Sequence, residues 1–161
     1  TKTVTTSPDA PTVVAANLIA CNSVASMIDW LFSGVFDRFP DIQLLYAESQ
    51  IGWIPYFVER ADDTWLTHQW AQGEERSERP PSEYYSKHIS ACFFKDTVGI
   101  DMLDQIGEDN VLFETDYPHQ DGTFPNSKAV AEELFGQLPQ RTINKIARGN
   151  AIKLLGLDFE P

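Results

Sequence analysis

The segment Phe113-Glu114-Thr115-Asp116-Tyr117-Pro118-His119 sets an aspartate and a histidine directly after a short apolar run. Two other apolar runs end in a similar way. Ile42 to Ala47 leads into Glu48-Ser49-Gln50, and His88 to Phe94 leads into Lys95-Asp96. Carboxylates and imidazoles are the groups that ligate divalent metals and carry protons during catalysis. Asp116 has the strongest individual claim, because it follows its apolar run at once and Tyr117-Pro118 turns the chain away from helix. The plainer role for such a residue is to hydrogen-bond turn amides. His119, in a loop beside a proline, is either a group of the same site or an ordinary surface imidazole. Glu48 either faces that site or caps the helix after it. GxSxG, P-loop, GxGxxG and HExxH patterns are absent, and the cysteines and histidines form no structural zinc set.

Positioning these groups requires elements of defined order. Thr1 to Thr12 is rich in Thr, Ser and Pro and reads as loop. Helical spacing of Val14, Leu18, Val24, Ile28, Leu31, Val35 and Phe36 predicts one helix from Val13 to Phe39, ended by Pro40. The mostly apolar Ile42 to Ala47 predicts a strand covered on both faces. A helix from Trp53 to Trp70 comes next, then a charged, proline-bearing surface excursion from Gln72 to Ser82. His88 to Phe94 is the second strand, Thr97 to Ile106 a helix ended by Gly107, and Asn110 to Thr115 the third strand. Closing helices fall at Ser127 to Phe135 and Pro139 to Leu155, the latter broken at Gly149-Asn150. His88, at the entry of its strand, reads as structural, His68 as a surface residue, and Tyr84-Tyr85 and Phe93-Phe94 as core.

Alternation of strands and helices implies parallel strands joined by helical crossovers. Three strands are too few for a doubly wound sheet. They suit the C-terminal part of a (β/α)8 TIM-like barrel, whose full length is about 250 residues, with the active site at the C-terminal strand ends. Residues 1–161 then form a single domain that is an incomplete barrel portion, and its open strand edges predict association with the missing half or with further copies.

Composition narrows the partners. With 24 acidic against 12 basic residues, the formal net charge is −12. Such a surface repels phosphate backbones and anionic membranes, so neither nucleic acid nor membrane is expected as a partner. No apolar run approaches the roughly 20 residues that span a bilayer, and Thr1 to Pro11 has no signal-peptide core. Two cysteines, Cys21 and Cys92, allow one disulfide but no framework of bridges, which favours a reducing, cytoplasmic setting.

Three stretches resemble the amidohydrolase-related branch of the amidohydrolase superfamily, which includes aminocarboxymuconate-semialdehyde decarboxylase and the resorcylate decarboxylases. They are GVFDRFPDIQLLYAESQIGWIPYFVERAD from Gly34 to Asp62, NVLFETDYPHQDGTFPNS from Asn110 to Ser127, and RGNAIKLLGL from Arg148 to Leu157. The resemblance implies a metal-dependent barrel in which Asp116 ends the last strand, binds the metal and takes a proton. It also implies that the family's other histidine ligands lie on the first and fifth strands, before Thr1. Where many relatives carry a histidine after the sixth strand, this sequence has Glu48, an active-site residue and second metal ligand on this reading. By similarity His119 faces the same mouth and contacts substrate.

The expected activity is a metal-dependent hydrolysis of a small organic substrate, with a divalent ion, zinc or else manganese, and Asp116 as ligand and general base. Non-oxidative decarboxylation of an aromatic or unsaturated carboxylic acid would use the same residues. A third expectation is that these 161 residues alone are catalytically inactive.

Overall fold

The computed structural model describes residues 5, 7–73 and 77–159. Helices α1 (Thr12–Asn17), α2 (Ala20–Phe32) and α3 (Val35–Arg38) lead into strand β1 (Leu44–Tyr46) and helix α4 (Ile54–Thr67). Then come a short 3-10 turn at Gln69–Ala71, α5 (Pro81–His88), β2 (Ile89–Phe93), α6 (Thr97–Asp101), α7 (Leu103–Ile106) and β3 (Val111–Phe113). Helix α8 (Ser127–Phe135) precedes a closing run made of α9 (Gln140–Asn144), a π-helical stretch at Lys145–Gly149, and α10 (Asn150–Leu155).

The strands form one parallel sheet in the order β1-β2-β3. Leu44 pairs with Ile89, Tyr46 with Ala91, Ala91 with Val111 and Phe93 with Phe113. Side chains alternate across a strand, so these residues share one face, and they join the main core with Met27, Leu31, Ile54, Ile106, Phe135 and Ile146. Phe93 and Val111 are fully buried there. Burying an aromatic or branched side chain of this size contributes about 1.5–3 kcal/mol, so this face anchors the sheet that carries the site. Parallel order puts the C-terminal ends of all three strands at one end of the sheet.

Several expected elements take a different form. The long first helix is three, because Leu18 and Ile19 form a turn and Gly34 has a left-handed backbone (φ 65). Strand β1 is not covered on both faces. It is an edge strand, and Leu45 on its second face is 38% exposed. The segment expected as an excursion from Gln72 to Ser82 passes into helix α5, where Pro80 has extended backbone and Pro81 opens the helix. Residues 74–76 of that excursion lie outside the described residues. His88 closes α5 instead of opening β2.

The histidine's structural reading agrees with its surroundings: it is buried, its Nδ1 lies 2.8 Å from the Ile42 carbonyl, and its ring stacks on Phe36 at 4.4 Å. Tyr84, Tyr85, Phe93 and Phe94 are all buried. Cys21 and Cys92 are both free. Taken across the Leu18-Ile19 turn, the 21 residues Thr12–Phe32 are long and apolar enough to cross a membrane, by length and composition only.

Candidate metal centre

Three loops leave the C-terminal ends of the strands, and each is tied down by side chains of another. The turn after β3 is closed by backbone hydrogen bonds. His119 N–H donates to the Asp116 carbonyl (2.9 Å), Gly122 N–H to the His119 carbonyl (3.3 Å), and Thr123 N–H to the Thr115 carbonyl (2.9 Å). The turn holds Asp116 at φ 51, a left-handed backbone that few residues other than glycine adopt. Lys95, at the end of β2, reaches over the turn, and its ammonium donates to the Asp121 and Gly122 carbonyls at 3.2 and 3.0 Å.

The turn after β1 is equally constrained. Glu48 and Gln50 have φ of 53 and 55. Asp96 caps α6 through Gly99 N–H (2.8 Å), and its other oxygen accepts from Ile51 N–H (2.7 Å) and Gly52 N–H (2.6 Å). Asp96 is thus engaged with backbone and organises the turn. Non-glycine residues in left-handed conformations persist where their surroundings over-determine them, and they cluster at functional sites.

These turns bring Glu48, Asp116 and His119 together. His119 Nδ1 lies 2.7 Å from Asp116 Oδ1 and 3.9 Å from Glu48 Oε2. One ligand atom from each of the three lies within 4.8 Å of the other two. The Asp116 side chain is only 8% exposed, while those of His119 and Glu48 are 62% and 53% exposed. The hydrogen bond to Asp116, followed by the negative charges of Asp116 and Glu48, raises the His119 pKa above its ordinary value. Two carboxylates converging with an imidazole form a donor set that suits a divalent ion of the zinc or manganese kind. Three protein donors would leave the fourth position of a tetrahedral catalytic zinc site to water or substrate.

Glu114 was not singled out among the site residues in the sequence. It directly follows β3, half-buried, and its Oε1 accepts from Glu48 N–H at 2.8 Å. Burial pushes its carboxyl up, against the opposing hydrogen bonds from Glu48 N–H and the Cys92 thiol. Burial likewise pushes the Cys92 thiol up to about 12, so this cysteine is an inert neutral group at ordinary pH. A glutamate closing a fully apolar strand was the available signal for Glu114.

A parallel sheet with helical crossovers and an acid–imidazole cluster at its C-terminal end is the arrangement of an α/β enzyme. A family model described as amidohydrolase matches residues 16–157, and the chain belongs to that family. Its fold is similar to three solved structures. Dihydroxybenzoic acid decarboxylase from Polaromonas sp. JS666, with bound manganese and the inhibitor 2-nitroresorcinol, has a TM-score of 0.69 at 20% identity, covering 88% of this chain and 42% of that one. 5-Carboxyvanillate decarboxylase from Sphingomonas paucimobilis has a TM-score of 0.68 at 22% identity, covering 84% and 40%. An amidohydrolase from Mycobacterium avium subsp. paratuberculosis has a TM-score of 0.69 at 25% identity, covering 83% and 33%. The chain therefore spans well under half the length of each.

Proposed function

We propose that this chain forms the last three strands of a (β/α)8 barrel and carries part of the active site of a metal-dependent hydrolase acting on a small organic substrate. The observation that carries the reading is the Asp116 carboxylate, shielded from solvent, 2.7 Å from His119 and grouped with Glu48 at the C-terminal end of a parallel sheet. Asp116 and Glu48 would hold a divalent ion, zinc or manganese; manganese is the ion bound in the Polaromonas decarboxylase. When bound, such an ion polarises a substrate carbonyl and lowers the pKa of its water.

Asp116 acts as the general base. Its carboxylate would accept a proton from the attacking water while the His119 imidazole, 2.7 Å away, orients it. As the carbonyl–heteroatom bond breaks, that proton passes to the leaving group and the water's oxygen stays on the carbonyl carbon. His119, exposed at the rim, contacts the substrate and fixes the rotamer of Asp116.

Decarboxylation of an aromatic carboxylic acid is the second reading, supported by the two decarboxylases among the similar structures. Glu48 and Asp116 converge at the mouth in a chain of net charge −12, and an ion held between them would offset their charge, so a neutral ester, lactone or amide fits the mouth without needing a carboxylate of its own.

The test is turnover by the full-length natural protein with added manganese or zinc, on lactones and amides against aromatic carboxylates. Metal-dependent hydrolysis of a neutral substrate is expected, and carbon dioxide release without hydrolysis would overturn the assignment. The 161 residues alone are expected to be inactive, because three strands do not close a barrel and the family's other ligands would lie on its remaining strands; metal-dependent turnover by this isolated chain would refute that.

A further inference from the structure

Glu48 lies in the turn after β1, Asp116 in the turn after β3, and β2 separates the two strands. A side chain leaving β1 reaches the Asp116–His119 pair only if the turn aims it across the end of β2. The Glu48 backbone does this with a left-handed conformation at φ 53. Two of the turn's neighbours are held from the β2 side. Asp96 accepts from Ile51 and Gly52 N–H, and Gln50 Oε1 accepts from Phe94 N–H at 3.4 Å. Glu48 itself is held from the β3 side, by Glu114.

The Glu114 bond is well made for this. Its backbone N–H donates to the Phe93 carbonyl at 2.9 Å, which continues the β2–β3 ladder and fixes the position of the residue. From that fixed base its side chain spans the end of β2, and Oε1 meets Glu48 N–H at 2.8 Å. The carboxylate is turned toward backbone and the Cys92 thiol, and it is not one of the three convergent ligand groups.

We infer that Glu114 is a positioning residue: it selects the left-handed backbone of Glu48 and so delivers the Glu48 carboxylate to the ion shared with Asp116. The inference rests on the reading of Glu48 as a metal ligand. Groups that orient a ligand typically change metal affinity by about 10–100-fold when removed.

The experiment measures Mn2+ affinity of the full-length natural protein by competition with a fluorescent chelator, alongside amide hydrogen exchange. Glu114→Ala removes the acceptor and should weaken Mn2+ binding by about 10–100-fold. Glu114→Gln keeps an oxygen acceptor at the same reach and should stay within about 3-fold of the parent, since net charge matters less than the hydrogen bond. In a Glu48→Gln background, Glu114→Ala should have no further effect. Equal losses from the alanine and glutamine variants, an unchanged affinity for Glu114→Ala, or an undiminished loss in the Glu48→Gln background would each overturn the inference. Should Glu114→Ala not fold, Glu114→Asp replaces it, because it keeps the charge, loses the reach and carries the same expectation.

Failure of the underlying reading looks different. If Glu48→Gln leaves Mn2+ affinity unchanged, Glu48 is not a ligand. Exchange at the Glu48 amide then decides the positioning role alone, acceleration in Glu114→Ala but not Glu114→Gln supporting it and no acceleration overturning it.

Discussion

Asp116 and His119 are three residues apart, and the turn between them sets the imidazole Nδ1 2.7 Å from the Asp116 carboxylate. The two side chains have unequal tasks. Asp116 is shielded and lies at the convergence of the three groups, whereas His119 is exposed at the rim. Asp116→Asn keeps the size and one acceptor oxygen but removes the basic carboxylate. Turnover by the metal-loaded, full-length natural protein is therefore expected to fall by about 10²–10⁴-fold, the usual worth of a general base. His119→Ala should cost less and act mainly on KM. Steady-state kinetics of both variants checks this, and a Asp116→Asn enzyme with near-parental kcat would remove Asp116 from the chemistry.

Gly122 is required by close packing. A Cβ on this residue would lie 2.6 Å from the Thr115 carbonyl oxygen and 2.7 Å from that of Asp116. Both are backbone atoms of the turn that holds Asp116, so neither can swing aside. Gly122→Ala is expected to cost about 1–3 kcal/mol of stability, as for overpacking elsewhere, and to displace Asp116. Urea unfolding should show the loss, and Mn2+ affinity should fall with it. A variant of unchanged stability and affinity would mean that the turn is free to move.

The chemistry was more legible in the sequence than the way it is held. A short apolar strand ending in Asp116, and a loop returning His119, could be read from Val111 to His119 because both effects are local. Helix α8 falls at Ser127–Phe135, the span that its spacing predicts. The turn at Leu18-Ile19 was hidden because the apolar spacing runs straight through it. Helix α5 was hidden because the prolines at its start read equally as loop, and what decides for helix is the burial of Tyr84, Tyr85 and His88 against distant residues. Glu114 and Asp96 were missed as organisers for the same reason. Their partners, Glu48, Ile51 and Gly52, are 66, 45 and 44 residues away in sequence.

His88 offers a control for the site. It is buried at the opposite end of β2, between the Phe36 ring and the Ile42 carbonyl. His88→Phe preserves the stacking and removes the Nδ1 group, leaving the Ile42 carbonyl without that partner, at a cost of about 1–3 kcal/mol. Unfolding by urea should register this loss while Mn2+ affinity stays at the parental value. A drop in affinity per folded molecule would show that His88 communicates with the metal centre, contrary to its structural reading.

The closing helices are tied to the turn before β3 by ion pairs whose pH range can be worked out. Lys145 Nζ lies 2.6 Å from Glu108 Oε1 and 2.8 Å from Asp109 Oδ1, and Thr142 Oγ1 donates to Glu108 Oε2 at 2.7 Å. The hydrogen bond from Lys145, then that from Thr142, lowers the Glu108 pKa below its ordinary 4.5. The hydrogen bonds to Asp109 and Glu108 raise that of Lys145 above 10.5. A carboxyl with a depressed folded pKa contributes stability above its unfolded pKa and loses it as pH falls through the folded value. An ammonium with a raised pKa contributes below its unfolded pKa and loses it as pH rises through the folded value. The cluster should therefore act at full strength between pH 4.5 and 10.5. The stability difference between the parent and Glu108→Gln is expected to be flat across neutral pH and to shrink steadily below pH 4.5. Urea unfolding of both proteins at intervals from neutral to acid pH measures it, and a difference that grows on acidification would show that the Glu108 pairing is not what holds the closing helices.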